Sequence, residues 1–283
     1  EFLFSQYFSF FVSSDWPTNP AVNIPNGGAA YPLSTPGVRL KVDPTPDTTL
    51  LFAVFNGDPA GPCMVDPESC NRYGLNFRVN DPPFAIAEAQ WRYNQFAKTT
   101  APAGGLRFGG WHHFGKFNDL RFDTAGISLA SPLAGSARIF RGDVGIYGVV
   151  DQQLYRQPGA DADTGVLLFG RAAYSPPNRN LNDLYIDGGL IFAKMNPSRP
   201  NDSIGASFLY AHMSRAARGL DADLFLYTGV PVPLRQYELS LEFSYNAFLA
   251  PGWTVQRKRR PRPIRKDLEG RIATRWRNGL QSR

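Results

Sequence analysis

Charged and polar side chains recur at every second position in several stretches of this chain. Glu88, Gln90, Arg92 and Asn94 alternate with Ala87, Ala89, Trp91 and Tyr93. Between Tyr237 and Leu249, Glu238, Ser240, Glu242, Ser244 and Asn246 alternate with apolar or aromatic residues, and only Phe248 breaks the rule. Side chains alternate faces in a strand, so each stretch has one polar face and one apolar face. The chemistry open to such a face is hydrogen bonding and charge pairing. Bond-making chemistry lacks its signatures. His112 and His113 are adjacent, and neighbours in a strand point to opposite faces, so they cannot chelate one ion. Carboxylates are numerous, but nothing marks two of them as an acid/base couple, and no nucleophile elbow or phosphate loop is present. The expectation is a non-enzyme with no cofactor, no metal site and no catalytic residue.

The elements that must position these residues are strands. The reading gives Phe2–Ser13, Gly37–Asp43, Thr49–Asn56, Phe84–Gln95, Gly105–Gly115, Gly142–Tyr155, Thr164–Tyr174, Asn182–Lys194, Asp202–Ser214 and Gln236–Leu249, with Trp253–Gln256 opening an eleventh. The faces of Gly142–Tyr155 cannot be assigned, and no helical period of useful length precedes residue 257. Gln236–Leu249 exceeds the usual soluble strand of about 5–6 residues; a tilted bilayer-crossing strand needs about 9–11. The connections sort by parity. Ser14–Pro36, Gly57–Pro83, Lys116–Arg141 and Arg215–Arg235 are long, whereas Pro44–Thr48, Phe96–Gly104, Arg156–Asp163, Met195–Asn201 and Ala250–Gly252 are shorter. Ser175–Leu181 is the one exception. Up-and-down barrels of the outer membrane sort their loops this way, and soluble sandwiches have no reason to.

Composition agrees. Mean hydropathy is −0.29 with 13% aromatic residues, and no run of about 18 apolar residues suits a transmembrane helix, a test that barrels escape because half their strand residues face water. The net charge of +6 belongs to the end of the chain: residues 257–283 hold 11 Lys/Arg against two acids, leaving −3 for the rest.

Specific motifs then enter. NIPNGGAAYPLSTPGVRLKV, LLFAVFNGDPAGP, GGWHHFGKFNDLRFDTAGISLASP, RGDVGIYGVVDQQLYR and RAAYSPPNRNLNDLYIDGGL resemble the carbohydrate-selective porins of the OprB family. PSRPNDSIGASFLYAHMS and RQYELSLEFSYNAFLAPGWTVQ are similar to that family's C-terminal hairpins. The resemblance runs in order from about Glu1 to Gln256. It implies an all-β, antiparallel up-and-down transmembrane β-barrel of porin type in the outer membrane of a Gram-negative bacterium. It further implies long loops that fold inward, and passive diffusion of carbohydrates through an aqueous lumen. The family has strands before the first one here, so the sequence reads as an N-terminally truncated piece: an incomplete barrel of about ten to eleven strands over 1–256. Residues 257–283 depart from the family pattern and read as a basic, disordered or frameshift-derived tail. A nucleic-acid arm, which clustered arginines would suit, is the lesser reading, and no nucleic-acid partner is expected. The rivals are an outer-membrane barrel of other solute selectivity and a secreted β-rich carbohydrate-binding protein. Sugars are the expected permeants and outer-membrane lipid the surroundings, with homo-oligomerisation left open.

A sugar channel must replace the hydration of hydroxyls without trapping the sugar, so it needs paired donors and acceptors. By parity, the lumen candidates are Glu88, Arg92, Asn94, Glu238 and Glu242, followed by Arg107, Arg171 and Asp187. Arg or Lys facing lipid costs about 2–4 kcal/mol at the midplane, which argues for the lumen. The plainer reading, that each merely solvates the wall, carries more weight for any single residue. Lys116, Asn118, Asp119, Arg121 and Asp123 form either a constriction or a lock between loop and wall. Cys63 and Cys70 share one proline-rich loop; an oxidising exterior and close spacing favour a disulfide over a metal pair or free thiols. Such a staple is worth roughly 2–3 kcal/mol.

Overall fold

A computed structural model describes residues 2–11, 35–59, 61, 73, 75, 77–95, 101–157, 163–230, 234–251 and 253–259. Cys63 and Cys70, and all of the tail from residue 260, lie outside these described residues. Ten strands follow one another: β1 (Gly37–Thr45), β2 (Thr48–Asn56), β3 (Pro83–Tyr93), β4 (Gly104–Asp123), β5 (Ala137–Tyr155), β6 (Gly165–Tyr174), β7 (Asn182–Ala193), β8 (Ser203–Met213), β9 (Tyr237–Ala250) and β10 (Trp253–Arg259). They form one antiparallel sheet in chain order, β1 to β10 without a crossover, and β1 is not paired with β10. Successive connections therefore alternate between the two ends. The longest connections, after β2, β4 and β8, lie at one end, and only 175–181 at that end is as short as the connections opposite.

Register fixes the faces. Leu51 pairs with Glu88, Glu88 with Gly109, and Gly109 with Tyr147; Val149 pairs with Arg171, Arg171 with Asp187, and Asp187 with Leu209. These residues share the inner face. The opposite face carries Val38, Leu40, Leu50, Phe52, Phe108, Ile146, Phe192, Ile204, Phe208 and Phe243, all exposed. The outer face is apolar and exposed, whereas the inner face buries charges such as Glu88, Arg171, Asp187 and Glu242 among apolar neighbours such as Phe169 and Tyr185, which is not the order of a soluble protein. An apolar face towards lipid is the expected arrangement for a membrane strand, whose ladder bonds run to its neighbours in the sheet. Trp91, Tyr155, Phe192, Tyr245 and Trp253 lie towards the tight-turn ends of their strands, and Tyr174 and Tyr237 towards the long-loop ends. Aromatic rings at both ends match the interfacial belts of membrane proteins.

Bulky rings on the inner face sit opposite glycine. Tyr147 faces Gly109, and a Cβ at Gly109 would lie 2.3 Å from the tyrosine ring. Trp111 similarly covers Gly145. Glycine is required at both positions because the ring lies flat across the neighbouring strand.

Three expectations are corrected. Residues 2–11 of the expected strand Phe2–Ser13 form turns and a single 3-10 turn at Phe8–Phe10. Phe2, Leu3 and Phe4 are consecutive, as are Tyr7 and Phe8, so no period of two exists to give the segment one wet face. The expected loop Lys116–Arg141 is largely strand, because β4 continues to Asp123 and β5 starts at Ala137. The expected loop Arg215–Arg235 contains a helix, α1 (Arg215–Thr228). Ser214 caps it by accepting from Ala217 N–H at 3.3 Å, and Gly229, at φ 67°, closes it with its N–H on Phe225 C=O. Only Ala217 and Asp221 are buried on α1. The helix is held by charge pairs, so it shows no apolar stripe to read. β10 also extends three residues past Gln256, with Arg259 opposite Phe243.

Candidate functional site

The inner face of β3–β7 carries charge of alternating sign: Glu88, Arg107, Asp151, Arg171 and Asp187, one per strand. Each charge is answered. Glu88 accepts from Tyr147 OH at 2.8 Å and from Gln90 Nε2 at 2.6 Å. Arg107 Nη1 donates to Asp151 Oδ2 at 2.8 Å. Arg171 grips Asp187, with Nε 2.9 Å from both carboxylate oxygens and Nη2 also on Oδ2, while Tyr185 OH donates to Oδ2 at 2.6 Å. Arg171 is 3% exposed and Asp187 1%. Buried charges persist only when paired and fully hydrogen-bonded, and the forked guanidinium suits the planar carboxylate. Glycine spacing supports the ladder: Gly105 is the partner of Asp151, and Gly189 is the partner of Phe169.

Further along the wall Glu242 is 0% exposed and accepts from Ser244 OH at 2.7 Å. Glu238, opposite Ala211, is half-buried on the same face. Arg92 shares the face, opposite Gly105, and is exposed. Asn94 does not join them. It lies past the end of β3 with φ 55°, and its amide donates to Pro102 C=O at 3.0 Å. Three wall residues, Tyr147, Asp151 and Tyr185, escaped the sequence reading. Asp151 is one of two acids, with Asp143, in Gly142–Tyr155, the stretch whose faces the sequence leaves unassigned. That stretch carries Val149 inside and Gln152 outside, so its alternation is blurred.

The motif 116–123 extends the β4–β5 hairpin at the long-loop end. Lys116 and Asn118 are exposed and pair in register with Arg141 and Ile139. Asp119 accepts from the N–H groups of Arg121 and Phe122 at 2.8 and 3.0 Å. Asp123 accepts from Ala125, Ile127 and Gly135 N–H at 2.9, 2.7 and 2.8 Å, organising the hairpin loop. Arg121 makes a two-pronged bond to Asp223 of α1 at 2.8 and 3.0 Å, and Ser128 OH adds a third at 2.6 Å. Gly219 of α1 leaves the space that the Arg121 guanidinium fills, since a Cβ there would lie 2.3 Å from it. This geometry is that of a lock between loop and helix.

The two histidines point to opposite faces as expected. His113 is buried and meets Gly57 C=O at 2.8 Å, while its Nδ1 accepts from Gly115 N–H at 2.9 Å. With Nδ1 accepting, the proton sits on Nε2 and donates to Gly57. His112 stacks edge-on with Phe114 at 4.3 Å.

The Asp223 lock makes a pH prediction. The Arg121 hydrogen bonds hold the Asp223 carboxyl below its usual range, against the opposing effect of burial. In the β7–β8 turn, Arg199 and then Tyr245 pull Asp202 down to about 2. A depressed folded-state pKa stabilises above the unfolded value of about 3.9, and that contribution is lost as pH falls through the folded value. Cleavage of α1 by an acid-active protease is expected to rise below about pH 4, and Asp223→Ala is expected to be cleaved there more readily than the parent by a neutral protease at neutral pH. Equal protection of α1 in both proteins at neutral pH would refute the lock.

An uncrossed antiparallel sheet, apolar outside and carrying its charges on the inner face, with its longest connections at one end, is the wall of a porin-type β-barrel. The family described as carbohydrate-selective porin, OprB family, matches residues 1–257, and the chain belongs to that family, which comprises channels rather than enzymes and is seated in Gram-negative outer membranes. Among solved structures, a Pseudomonas putida OprB determined at high pH is similar at 21% identity with a TM-score of 0.70, over 82% of this chain and 54% of that one. The chain thus spans about half the length of that structure. No curated protein matches.

Proposed function

We propose that this chain forms part of an outer-membrane channel in a Gram-negative bacterium, through which carbohydrates diffuse passively. The ten strands between Gly37 and Arg259 supply the barrel wall in this reading, Phe2–Phe11 lies against its inner face, and lipid meets the apolar outer face. The observation that carries the proposal is the alternating ladder on β3–β7. Arg107 and Arg171 are paired with Asp151 and Asp187, so neither dominates the local potential. Such a wall offers many donors and acceptors without a strong field of either sign. It suits neutral polyols, whose hydroxyls trade water for wall groups and leave again. An anion channel would instead call for a ring of unpaired cations.

The test is single-channel recording in planar bilayers with the barrel closed. Glucose is expected to reduce the ion current reversibly, with little preference between potassium and chloride. Strong anion selectivity with no response to sugar would overturn the proposal.

A further inference from the structure

Residues Phe2–Phe11 lie across the inner face and engage the ladder. Leu3 N–H donates to Glu88 Oε2 at 2.8 Å, and Leu3 C=O accepts from Arg171 Nη1 at 3.4 Å. The Ser5 hydroxyl donates to Asp151, and Gln6 N–H reaches the other oxygen of that carboxylate at 3.2 Å. The Phe8 ring lies 4.9 Å from the Arg171 guanidinium, and Phe11 packs on Phe169 with centroids 5.7 Å apart. At the far side Gln256 of β10 donates to Phe10 C=O.

Two features distinguish this segment from a strand of the wall. Its backbone is in no β-ladder, since these contacts run to side chains and its own bonds are Phe10 N–H to Tyr7 and Phe11 N–H to Phe8. The ladder is also complete without it. Arg107–Asp151, Arg171–Asp187 and Tyr147–Glu88 are formed wall to wall, so lifting the segment strands no buried charge. What it presents to the wall is a small set of donors, one carbonyl acceptor and flat apolar rings. A pyranose presents the same set, as hydroxyls and an apolar C–H face. Nearby on β8, Ser207 is 6% exposed and its hydroxyl has no partner among the described residues.

We propose that Phe2–Phe11 is an internal occupant of a polyol-binding surface built from Glu88, Asp151 and Arg171, and that a neutral polyhydroxylated ligand competes with it there. This rests on the carbohydrate reading above and adds to it a built-in competitor. The apparent affinity for sugar is then reduced by the fraction of time the segment is seated.

Gly205 gives a way to test this without touching the ladder. A Cβ there would lie 2.7 Å from the Phe10 ring and 3.0 Å from that of Phe11, so Gly205→Leu pushes the segment off the wall. With the barrel closed in planar bilayers, Gly205→Leu is expected to raise ion conductance. It should also lower the glucose concentration that blocks half the current, by about tenfold if the segment is seated nine times in ten. Ser5→Ala and Phe8→Ala should act in the same direction with smaller size, and they serve if Gly205→Leu fails to give a heat-modifiable barrel. An unchanged half-blocking concentration in folded variants would overturn the competition, whatever happens to conductance. Absence of glucose block in parent and variants alike would overturn the carbohydrate reading itself, and the ligand class with it.

Discussion

Asp187→Leu, made alone, is expected to destabilise the folded barrel by about 3–5 kcal/mol, because it leaves Arg171 charged and buried without its partner. The Arg171 side chain is 2% exposed in the pair, so water cannot take the place of the lost carboxylate. Tyr185 OH loses its acceptor in the same step. The double variant Arg171→Met with Asp187→Leu is expected to recover most of the loss, since replacing both partners of a buried pair by apolar residues is often neutral or stabilising. Urea unfolding in lipid vesicles would measure all three proteins. A double variant as unstable as the single one would show that the pair acts through packing rather than through uncompensated charge.

The second large effect separates the two faces. Leu241→Arg places a guanidinium on the outer face of β9, opposite Phe208 of β8. In a bilayer this should cost about 2–4 kcal/mol near the midplane and reduce the folded fraction in a vesicle-refolding assay. Gln90→Arg places the same group on the inner face, where Gln90 already donates to Glu88 at 2.6 Å. It should fold nearly as well as the parent. Ser240, adjacent to Leu241, is a poorer control because it is itself buried. Similar losses at Leu241 and Gln90 would invalidate the assignment of faces, and with it the membrane reading of the sheet.

Where alternation was strict, the sequence carried the answer. In Gln236–Leu249 and Phe84–Gln95 polar and apolar residues took turns, and β9 and β3 followed within a residue or two, with Glu88, Arg92, Glu238 and Glu242 on the inner face. Loop length sorted the ends of the strands for the same reason: an uncrossed meander must send successive connections to opposite sides. Legibility failed where the wall is not simply polar. Tyr147 and Val149 are apolar yet face inward, because the segment Phe2–Phe11 gives them apolar company. That segment defeated the pattern in turn, since residues packed against the inside of a wall need no period of two. Helix α1 was hidden because Asp221 and Asp223 anchor it through Arg235 and Arg121, and ion pairs leave no periodic trace in hydropathy. The pairing of Glu88 with Tyr147, 59 residues apart, depends on register, which alternation alone does not set.

The uncrossed order of the sheet has a bearing on how the molecule is put together. Each strand pairs only with its neighbours in the chain, so assembly can advance one hairpin at a time, and loop closure stays short at every step. The segment Phe2–Phe11 breaks this economy of distance. Its partners Glu88, Asp151 and Arg171 lie 85, 146 and 168 residues away from the groups they bind, and Phe10 is tied to Gln256 across 246. This segment must therefore wait for most of the wall before it has a place to dock. Its seating is thus a late event in assembly, set by contacts that exist only once β3, β5 and β6 are in place.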